Sequence, residues 1–275
     1  MIAGRTLAAA TVVGVAGEWG PALTSIPHLR RAALPGLSGI STRDHIALTY
    51  DDGPDPASTP QFLKMLERHQ ISATFFVLGE FVAQNTSLVI EMSAAGHELA
   101  VHGWDHQCLA WKPPRRLADQ LRRTRHTIED LTGTPVLWFR PPYGVITGRG
   151  LLAARRPGLT PVLWSAWGRD WSRRATPESI AITVLQSVKP GGTVLLHDTD
   201  RTAAPGSWRS TLAASELMLD RWRTQGVPVG PLREHWDTQH RESRAHVESA
   251  ITRPPQAAEA MPLGAMQVLT PAVRS

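Results

Sequence analysis

Two neighbouring aspartates in this sequence could carry out metal-assisted acid–base chemistry. Asp51 and Asp52 stand side by side and are followed by Gly53 and Pro54. Adjacent carboxylates point in different directions, so one can bind a cation while the other stays free to act as a base. Taken alone, the cluster also fits an ordinary turn, since Asp-Gly and Gly-Pro are common turn sequences.

A second cluster contains two histidines, His102 and His106, which are four residues apart. On a helical turn this spacing places both imidazoles on one face, from which both can bind one metal ion. With a carboxylate from elsewhere in the chain they make a His-His-Asp site, which suits zinc or a similar borderline divalent cation. Because the chain has 11 histidines, an accidental pair is the alternative interpretation.

Three further motifs carry polar side chains that chemistry can use. Arg140–Gly144 contains two prolines and a glycine, which hold the loop so that it can present an arginine and a backbone N–H at defined positions. Asp170 is followed by Trp171, and an apolar run from Leu195 delivers His197 at its end. Each motif is weak by itself, because a rigid turn or a satisfied core histidine explains it equally well.

The segments around these motifs are typical of alternating strands and helices. The hydrophobic patterns predict strands at 45–50, 73–78, 98–101, 136–139, 160–165 and 193–196, and helices at 58–69, 81–95, 117–131, 150–155, 177–188 and 212–225. Ser58 is the predicted cap of the first helix and Gly133 the stop of the third. This alternation predicts an α/β fold with a mainly parallel sheet.

The position of the motifs relative to the predicted strands favours an enzyme. In α/β folds, ligands bind at the carboxyl ends of the strands. All five motifs fall at or just beyond a predicted strand end. We therefore expect them to meet in one site.

Taken in order, the five motifs resemble those of the polysaccharide deacetylase family, the NodB-homology group, over about residues 44–233. The resemblance implies a single-domain, distorted (β/α) barrel. It also implies a metal-dependent hydrolase that removes N-linked acetyl groups from amino sugars of a chitooligosaccharide- or peptidoglycan-type glycan. The chain departs from the family pattern at Gly103, where Ser or Thr is usual, and at Trp167, where the first Asp of the fourth motif is usual.

The resemblance also assigns roles to individual residues. It implies one divalent ion, zinc or alternatively cobalt, manganese or nickel, held by Asp52, His102 and His106. Asp51 is the implied general base and His197 the implied general acid that protonates the departing amine. The implied supporting residues are Arg140, which orients Asp51; Asp170, which tunes His197; Tyr143, whose backbone N–H stabilises the oxyanion; and Trp171, Leu195 and Pro141, which line the substrate pocket.

Composition narrows the partners that we expect. A chain of 275 residues fits one large domain, and its single cysteine, Cys108, cannot form an internal disulfide. The net charge is +5, but the basic residues are dispersed, which favours solvated helix faces over a nucleic-acid surface. We expect a glycan partner, no nucleic-acid partner, no membrane span and a monomer.

The two ends of the chain differ in texture from its middle. We divide the sequence into an N-terminal extension (1–40), a catalytic domain (41–235) and a polar, disordered or weakly helical tail (236–275). In the extension, Arg5 followed by an apolar stretch at 7–17 resembles a weak secretory signal, and a loosely packed extension is the alternative. Export to the cell envelope and a cytoplasmic location both stay open.

Two other functions fit the same motifs. The first is a metalloamidase of the same fold that acts on a small-molecule amide or imide. The second is a non-catalytic glycan-binding protein. The presence of both Asp51 and His197 argues against loss of turnover.

Overall fold

A curved parallel sheet flanked by helices forms the framework of the protein. The computed structural model describes residues 26, 30 and 35–235, and within this part of the chain eight strands form one sheet. The strands are β1 (Ile46–Asp51), β2 (Thr74–Leu78), β3 (Glu98–Gly103), β4 (Trp138–Phe139), β5 (Thr160–Pro161), β6 (Ala166–Trp167), β7 (Thr193–His197) and β8 (Val229–Gly230).

Helices follow most of the strands, as a parallel sheet requires. The α-helices among the described residues are α1 (Thr59–His69), α2 (Gly79–Gln84), α3 (Thr86–Ala94), α4 (Pro114–Thr132), α5 (Gly148–Arg155), α6 (Pro177–Ser187) and α7 (Ser207–Thr224). Short 3-10 helices lie at Pro35–Leu37, Leu109–Trp111, Pro142–Gly144 and Leu232–Glu234.

The strand order explains how the sheet curls. It runs β5-β4-β3-β2-β1-β7-β6, and β8 lies beside the start of β1. β5 pairs with β4 at one edge, while β6 pairs with β7 at the opposite edge. Residues 162–165 therefore cross from one edge of the sheet to the other and bridge a parallel half-barrel. The predicted fold, a single-domain distorted (β/α) barrel, is confirmed.

Alternating side-chain direction along the strands separates the core from the site. Leu48 and Tyr50 of β1 and Leu196 of β7 belong to the main hydrophobic core between the sheet and the helices. The residues that alternate with them, such as Asp51 and His197, face the barrel interior. A small apolar cluster fills that interior below the site, and it consists of Ala47, Phe76, Ala100, Trp138, Val162 and Leu232.

Two predicted elements are wrong in extent. The helix predicted at 81–95 is two helices, α2 and α3, because Asn85 has non-helical angles (φ −130°, ψ 47°) and its side-chain amide donates to the Phe81 carbonyl at 2.9 Å. Of the strand predicted at 160–165, only Thr160–Pro161 forms as β5, and β6 begins just beyond the predicted range on the opposite edge of the sheet. A crossing segment cannot pair with either edge along its whole length.

The predicted helix ends are correct in one case and wrong in another. Gly133 ends α4 in the left-handed conformation with φ 65°, as predicted. Ser58, in contrast, makes no capping hydrogen bond to α1, and the backbone N–H of Asp55 donates to the Thr59 hydroxyl at 2.8 Å instead. The strand predicted at 136–139 is only the pair Trp138–Phe139, and the other elements are confirmed with ends shifted by a few residues.

The predicted extension and tail fall mainly outside the structure. Of residues 1–40, only 26, 30 and 35–40 are described, and the tail at 236–275 lies outside the described residues. The described helices include none that is both long and apolar enough to cross a membrane.

A buried histidine next to β3 should make stability depend on pH. Burial, and secondarily the charge of Arg233, lowers the pKa of His97 to about 4, while its Nδ1 accepts a hydrogen bond from the Ala73 N–H at 3.2 Å. The unfolded state binds a proton below about pH 6.5 and the folded state only near pH 4. We therefore expect the free energy of unfolding to fall by up to about 3 kcal/mol as the pH decreases across this window.

Chemical denaturation at several pH values measures this effect. His97→Asn keeps an acceptor for the Ala73 N–H but cannot titrate, so its stability should change less between pH 6.5 and 4. The exposed His126 is the matched control, and His126→Asn should retain the wild-type pH dependence. An unchanged pH profile in His97→Asn would contradict the assignment.

Candidate active site

The five motifs of the sequence meet at the carboxyl end of the half-barrel. Asp51 ends β1, His102 lies near the end of β3 and His197 ends β7. Arg140 directly follows β4, and Asp170 lies three residues beyond β6. The structure therefore brings these residues together at one end of the sheet.

Asp52, His102 and His106 form a candidate metal site. The Asp52 Oδ1 atom lies 3.2 Å from the His102 Nε2 atom and 3.3 Å from the His106 Nε2 atom. The ligand atoms of the three residues all lie within 4.8 Å of one another. Asp52 is fully buried, and its Oδ1 atom accepts no hydrogen bond from any described residue. A buried carboxylate oxygen between two imidazole nitrogens fits a divalent cation such as zinc.

The histidine pair reaches this site by a route that differs from the prediction. His102 is an inward-facing strand residue and His106 lies in a bend, so the two imidazoles do not share a helical turn. Gly103, the last residue of β3, has φ 141° directly before the bend, and a Cβ atom there would lie 3.0 Å from the Asp105 carbonyl oxygen. The Thr124 hydroxyl of α4 donates to the Gly103 carbonyl at 3.1 Å. Gly103, which stands where the family usually has Ser or Thr, is therefore held by a hydrogen bond from α4.

Hydrogen bonding and burial prepare the two imidazoles to bind a cation. The His102 Nδ1 atom lies 2.8 Å from the Arg140 carbonyl oxygen, so it donates there and leaves Nε2 free for a metal. Burial and the neighbouring His102 lower the pKa of His106 despite the opposing charge of Asp52. Burial alone would raise the pKa of Asp52, but the three surrounding histidines hold it well below its usual range. Neutral imidazoles and an ionised carboxylate are the forms that bind metal.

Asp51 is held by a buried ion pair with Arg140. The Arg140 Nη1 atom donates to the Asp51 Oδ1 atom at 2.6 Å and to the Thr49 hydroxyl at 2.7 Å. Arg140 is fully buried, and its guanidinium also lies 3.9 Å from the centre of the Phe76 ring. The other oxygen of Asp51, Oδ2, lies 3.9 Å from the His102 Nε2 atom. The ion pair therefore occupies one carboxylate oxygen and leaves the other beside the metal site.

His197 is paired with a buried carboxylate. Its Nδ1 atom lies 3.0 Å from the Asp170 Oδ1 atom, and its backbone N–H donates to the Asp170 Oδ2 atom at 2.7 Å. Burial disfavours the charged imidazole, but Asp170, followed by Asp52 and Asp51, outweighs burial and raises the pKa of His197 to about 10. Its Nε2 atom lies 4.0 Å from the Asp52 Oδ2 atom. A protonated Nε2 therefore faces the metal site.

A cavity of about 480 Å³ opens over these groups. Its walls include the predicted pocket residues Pro141, Trp171 and Leu195, and the loop residue Tyr143. Tyr143 has a left-handed backbone conformation with φ 61°. Tyr143 and Trp171 are both partly exposed at the cavity.

Three tryptophans form one wall of the cavity. Trp167 lies between Trp164 and Trp171, with ring centroids 5.9 Å and 6.4 Å away. The Trp167 and Trp171 rings are inclined by only 28°. At Trp167, the second departure from the family pattern, the chain thus carries an aromatic ring in the cavity wall in place of a carboxylate.

Several contacts of the site were not predicted from the sequence. The Thr202 hydroxyl donates to the Asp52 Oδ2 atom, and the Thr211 hydroxyl of α7 donates to the Asp170 Oδ2 atom at 3.0 Å. Trp164 lines the cavity. Thr202 lies only five residues beyond His197 in the same loop, which was the one available signal, whereas Thr211 reaches the site only through the packing of α7.

Comparison with known proteins places the chain in a family. The family model for polysaccharide deacetylase matches residues 38–162. A chitooligosaccharide deacetylase from Bradyrhizobium sp. (strain ANU 289) is 33% identical over 200 residues, which cover 70% of this chain and 91% of the relative. Fold, motifs and similarity agree, and the chain belongs to the polysaccharide deacetylase family.

Other relatives show how varied the family is. A peptidoglycan-N-acetylglucosamine deacetylase, PgdA, from Listeria monocytogenes is 34% identical over 193 residues, and the chain spans only 39% of its length. The structure of BA3943, a CE4 family pseudoenzyme from Bacillus anthracis, matches with a TM-score of 0.65 at 27% identity and covers 72% of this chain and 66% of that one. Family membership and fold alone therefore do not establish turnover.

The geometry of the three metal-site side chains predicts tight zinc binding. Removing one imidazole in His106→Ala should weaken zinc affinity by roughly 100-fold or more, because three protein ligands are the usual set of a catalytic zinc site. Competition with a chromophoric chelator measures the affinity. His126→Ala removes an exposed histidine and should bind zinc like the wild type. Wild-type affinity in His106→Ala would contradict the ligand set.

Proposed function

We propose that this protein is a metal-dependent N-deacetylase that acts on amino sugars of a chitooligosaccharide- or peptidoglycan-type glycan. The observation that carries the proposal is the presence of a candidate base and a candidate acid around one metal-binding triad. Asp51 Oδ2 lies 3.9 Å from one ligand histidine, and His197 Nε2 lies 4.0 Å from the ligand carboxylate. This arrangement suits hydrolysis of an amide.

The metal site is proposed to consist of Asp52, His102 and His106, with zinc as the best fit. When bound there, a divalent cation supplies a Lewis acid that polarises the amide carbonyl and lowers the pKa of a water. Two nitrogen ligands and one oxygen ligand are typical of zinc, and cobalt, manganese and nickel accept the same set. The carbonyl of Arg140 keeps His102 oriented for this role.

Asp51 is proposed to be the general base. Its Oδ1 atom is occupied by Arg140, so its Oδ2 atom takes the proton from the attacking water. The water oxygen then forms a bond with the amide carbon, and the carbonyl oxygen becomes an oxyanion. The backbone N–H of Tyr143, at the edge of the same cavity, is proposed to stabilise that oxyanion.

His197 is proposed to be the general acid. Asp170, followed by Asp52 and Asp51, raises the pKa of His197 to about 10, so the imidazole carries a proton at neutral pH. Its Nε2 proton passes to the amide nitrogen as the C–N bond breaks, so the sugar departs as an amine and not as an amide anion. The products are acetate and the free amino sugar.

The cavity wall is proposed to bind the acetyl group and the sugar. Trp171, Leu195 and Pro141 line the cavity and offer an apolar surface for the acetyl methyl. Trp171 is 48% exposed, so one face of its ring is available to a sugar. Nothing in these contacts requires a polymer, and a small-molecule amide or imide stays the alternative substrate.

Acetate release from a panel of glycans tests the proposal. Zinc-loaded protein should release acetate from N-acetylglucosamine oligomers or peptidoglycan fragments, and a chelator should abolish the release. Asp51→Asn should reduce kcat by about 10²–10⁴-fold because it removes the base, while zinc affinity stays near that of the wild type. Unchanged turnover in Asp51→Asn would remove it from the mechanism.

The same assay separates the competing functions. Zinc binding without acetate release from any glycan, but with hydrolysis of small cyclic amides or imides, would favour the metalloamidase. Glycan binding with no hydrolysis of either substrate class would favour the non-catalytic protein.

Asp170→Asn tests how His197 acts. Loss of the Asp170 charge should lower the pKa of His197, because that carboxylate is the largest contribution that raises it. A general acid works only below its pKa, so the alkaline limb of the kcat profile should move to lower pH by about one unit or more. Acetate release measured from pH 6 to 11 gives the profile. A lower kcat with an unmoved alkaline limb would contradict the role.

A further inference from the structure

One loop beside the cavity carries three arginines that form no ion pair with any described residue. Arg169, Arg173 and Arg174 lie between β6 and α6 and are all exposed. Their side chains make no ion pair, hydrogen bond or ring contact with any residue between 35 and 235. We call these three residues the arginine rim.

The backbone of the loop fixes where the rim lies. Trp171, which lines the cavity, stands between Arg169 and the other two arginines. Its carbonyl accepts a hydrogen bond from the Ala204 N–H at 3.0 Å, which ties the loop to the segment after β7. Arg173 and Arg174 are the central residues of a turn closed by the Ala175 N–H and the Ser172 carbonyl at 3.0 Å. All three arginines of the rim therefore lie within three residues of a side chain that lines the cavity.

Arg169 has an unusual backbone conformation. Its φ is 53°, in the left-handed region that a long side chain adopts at a cost. It lies directly before Asp170, which is 1% exposed and holds His197. Arg169 itself is exposed and lies two residues before Trp171, which lines the cavity.

The carboxylates near the cavity do not neutralise the rim. In the described loops that follow β1, β3, β4, β6 and β7, each carboxylate is buried, ion-paired or hydrogen-bonded within its own loop, and none forms an ion pair with the rim. Asp52, Asp170 and Asp198 are buried, Asp55 pairs with Arg201, Asp105 pairs with Lys112, and Asp200 accepts the Gly206 N–H. Glu178, in the first turn of α6, is exposed but forms no ion pair with the rim.

We propose that the arginine rim binds carboxylates of the glycan, so that the enzyme selects an anionic, peptidoglycan-type substrate over a neutral chitooligosaccharide. The inference rests on the proposed deacetylase function and names its substrate class. Unpaired guanidiniums bind carboxylates through paired N–H donors. An exposed basic rim also raises the local concentration of an anionic polymer and speeds its association. The carboxylate belongs either to a lactyl group on the sugar or to an attached peptide.

A double substitution with a matched control tests the rim. Arg173→Gln/Arg174→Gln should reduce kcat/KM for carboxylated glycan fragments by about three- to tenfold at low salt. It should change kcat/KM for neutral chitopentaose by less than about twofold, and 0.5 M NaCl should remove most of the difference. The control is Arg155→Gln/Arg156→Gln, another adjacent exposed pair, which lies where α5 leads into the start of β5 at the opposite end of the strands.

The substrates identify the source of the carboxylate. Fragments that carry only the lactyl group are compared with fragments that also carry a peptide, and with both after amidation of their carboxylates. Amidation should abolish the effect of the double substitution. Equal losses on charged and neutral glycans, or no loss on either, would overturn the inference while leaving deacetylation intact.

A binding measurement keeps the inference separate from the proposed function. Isothermal titration of zinc-loaded Asp51→Asn protein with the carboxylated fragment does not depend on turnover. Salt-sensitive binding that weakens in the Arg173→Gln/Arg174→Gln background would support the rim. Binding that ignores both salt and the double substitution would overturn it.

Discussion

The buried Arg140 is the residue on which most of the site depends. Its guanidinium holds one oxygen of Asp51, and its carbonyl accepts the hydrogen bond that orients His102. One residue therefore connects the candidate base to a candidate metal ligand. The fully buried guanidinium also donates to the Thr49 hydroxyl and the Leu163 carbonyl, whereas removal of Arg140 would leave the buried Asp51 carboxylate without its partner charge.

The parallel half-barrel places the polar side chains of the site close together. Strand alternation buries one set of side chains against the helices and presents the other set to a narrow interior. An apolar cluster fills the interior below the site, so the polar side chains gather only at the carboxyl end. The same end carries the loops, and these add His106, Asp170 and Thr202. The charges of neighbouring groups set the two protonation states. Asp170 raises the pKa of His197, while the surrounding histidines lower the pKa of Asp52.

The sequence predicted those elements whose formation depends on residues close together in the chain. Short apolar runs followed by polar motifs predicted β1, β3 and β7 together with the residues at their ends, and Gly133 predicted the end of α4. Long-range packing decided what was missed. The break at Asn85 occurs inside a continuous helical pattern, and the strand predicted at 160–165 ends at Pro161 because the chain changes sheet edges. Likewise, His102 and His106 converge through a strand and a bend, which spacing alone did not distinguish from a helical turn.

A crystal structure of the zinc-loaded protein, with anomalous diffraction data at the zinc edge, would test whether Asp52, His102 and His106 hold the metal. We expect one strong peak bonded at about 2.0–2.2 Å to a carboxylate oxygen of Asp52 and to the Nε2 atoms of His102 and His106, with an open coordination position facing the cavity. Asp51 and His197 should flank that open position without binding the metal. Zinc bound through Asp51 or His197, or a peak elsewhere in the protein with none at this triad, would contradict the proposed ligand set and the proposed roles of Asp51 and His197.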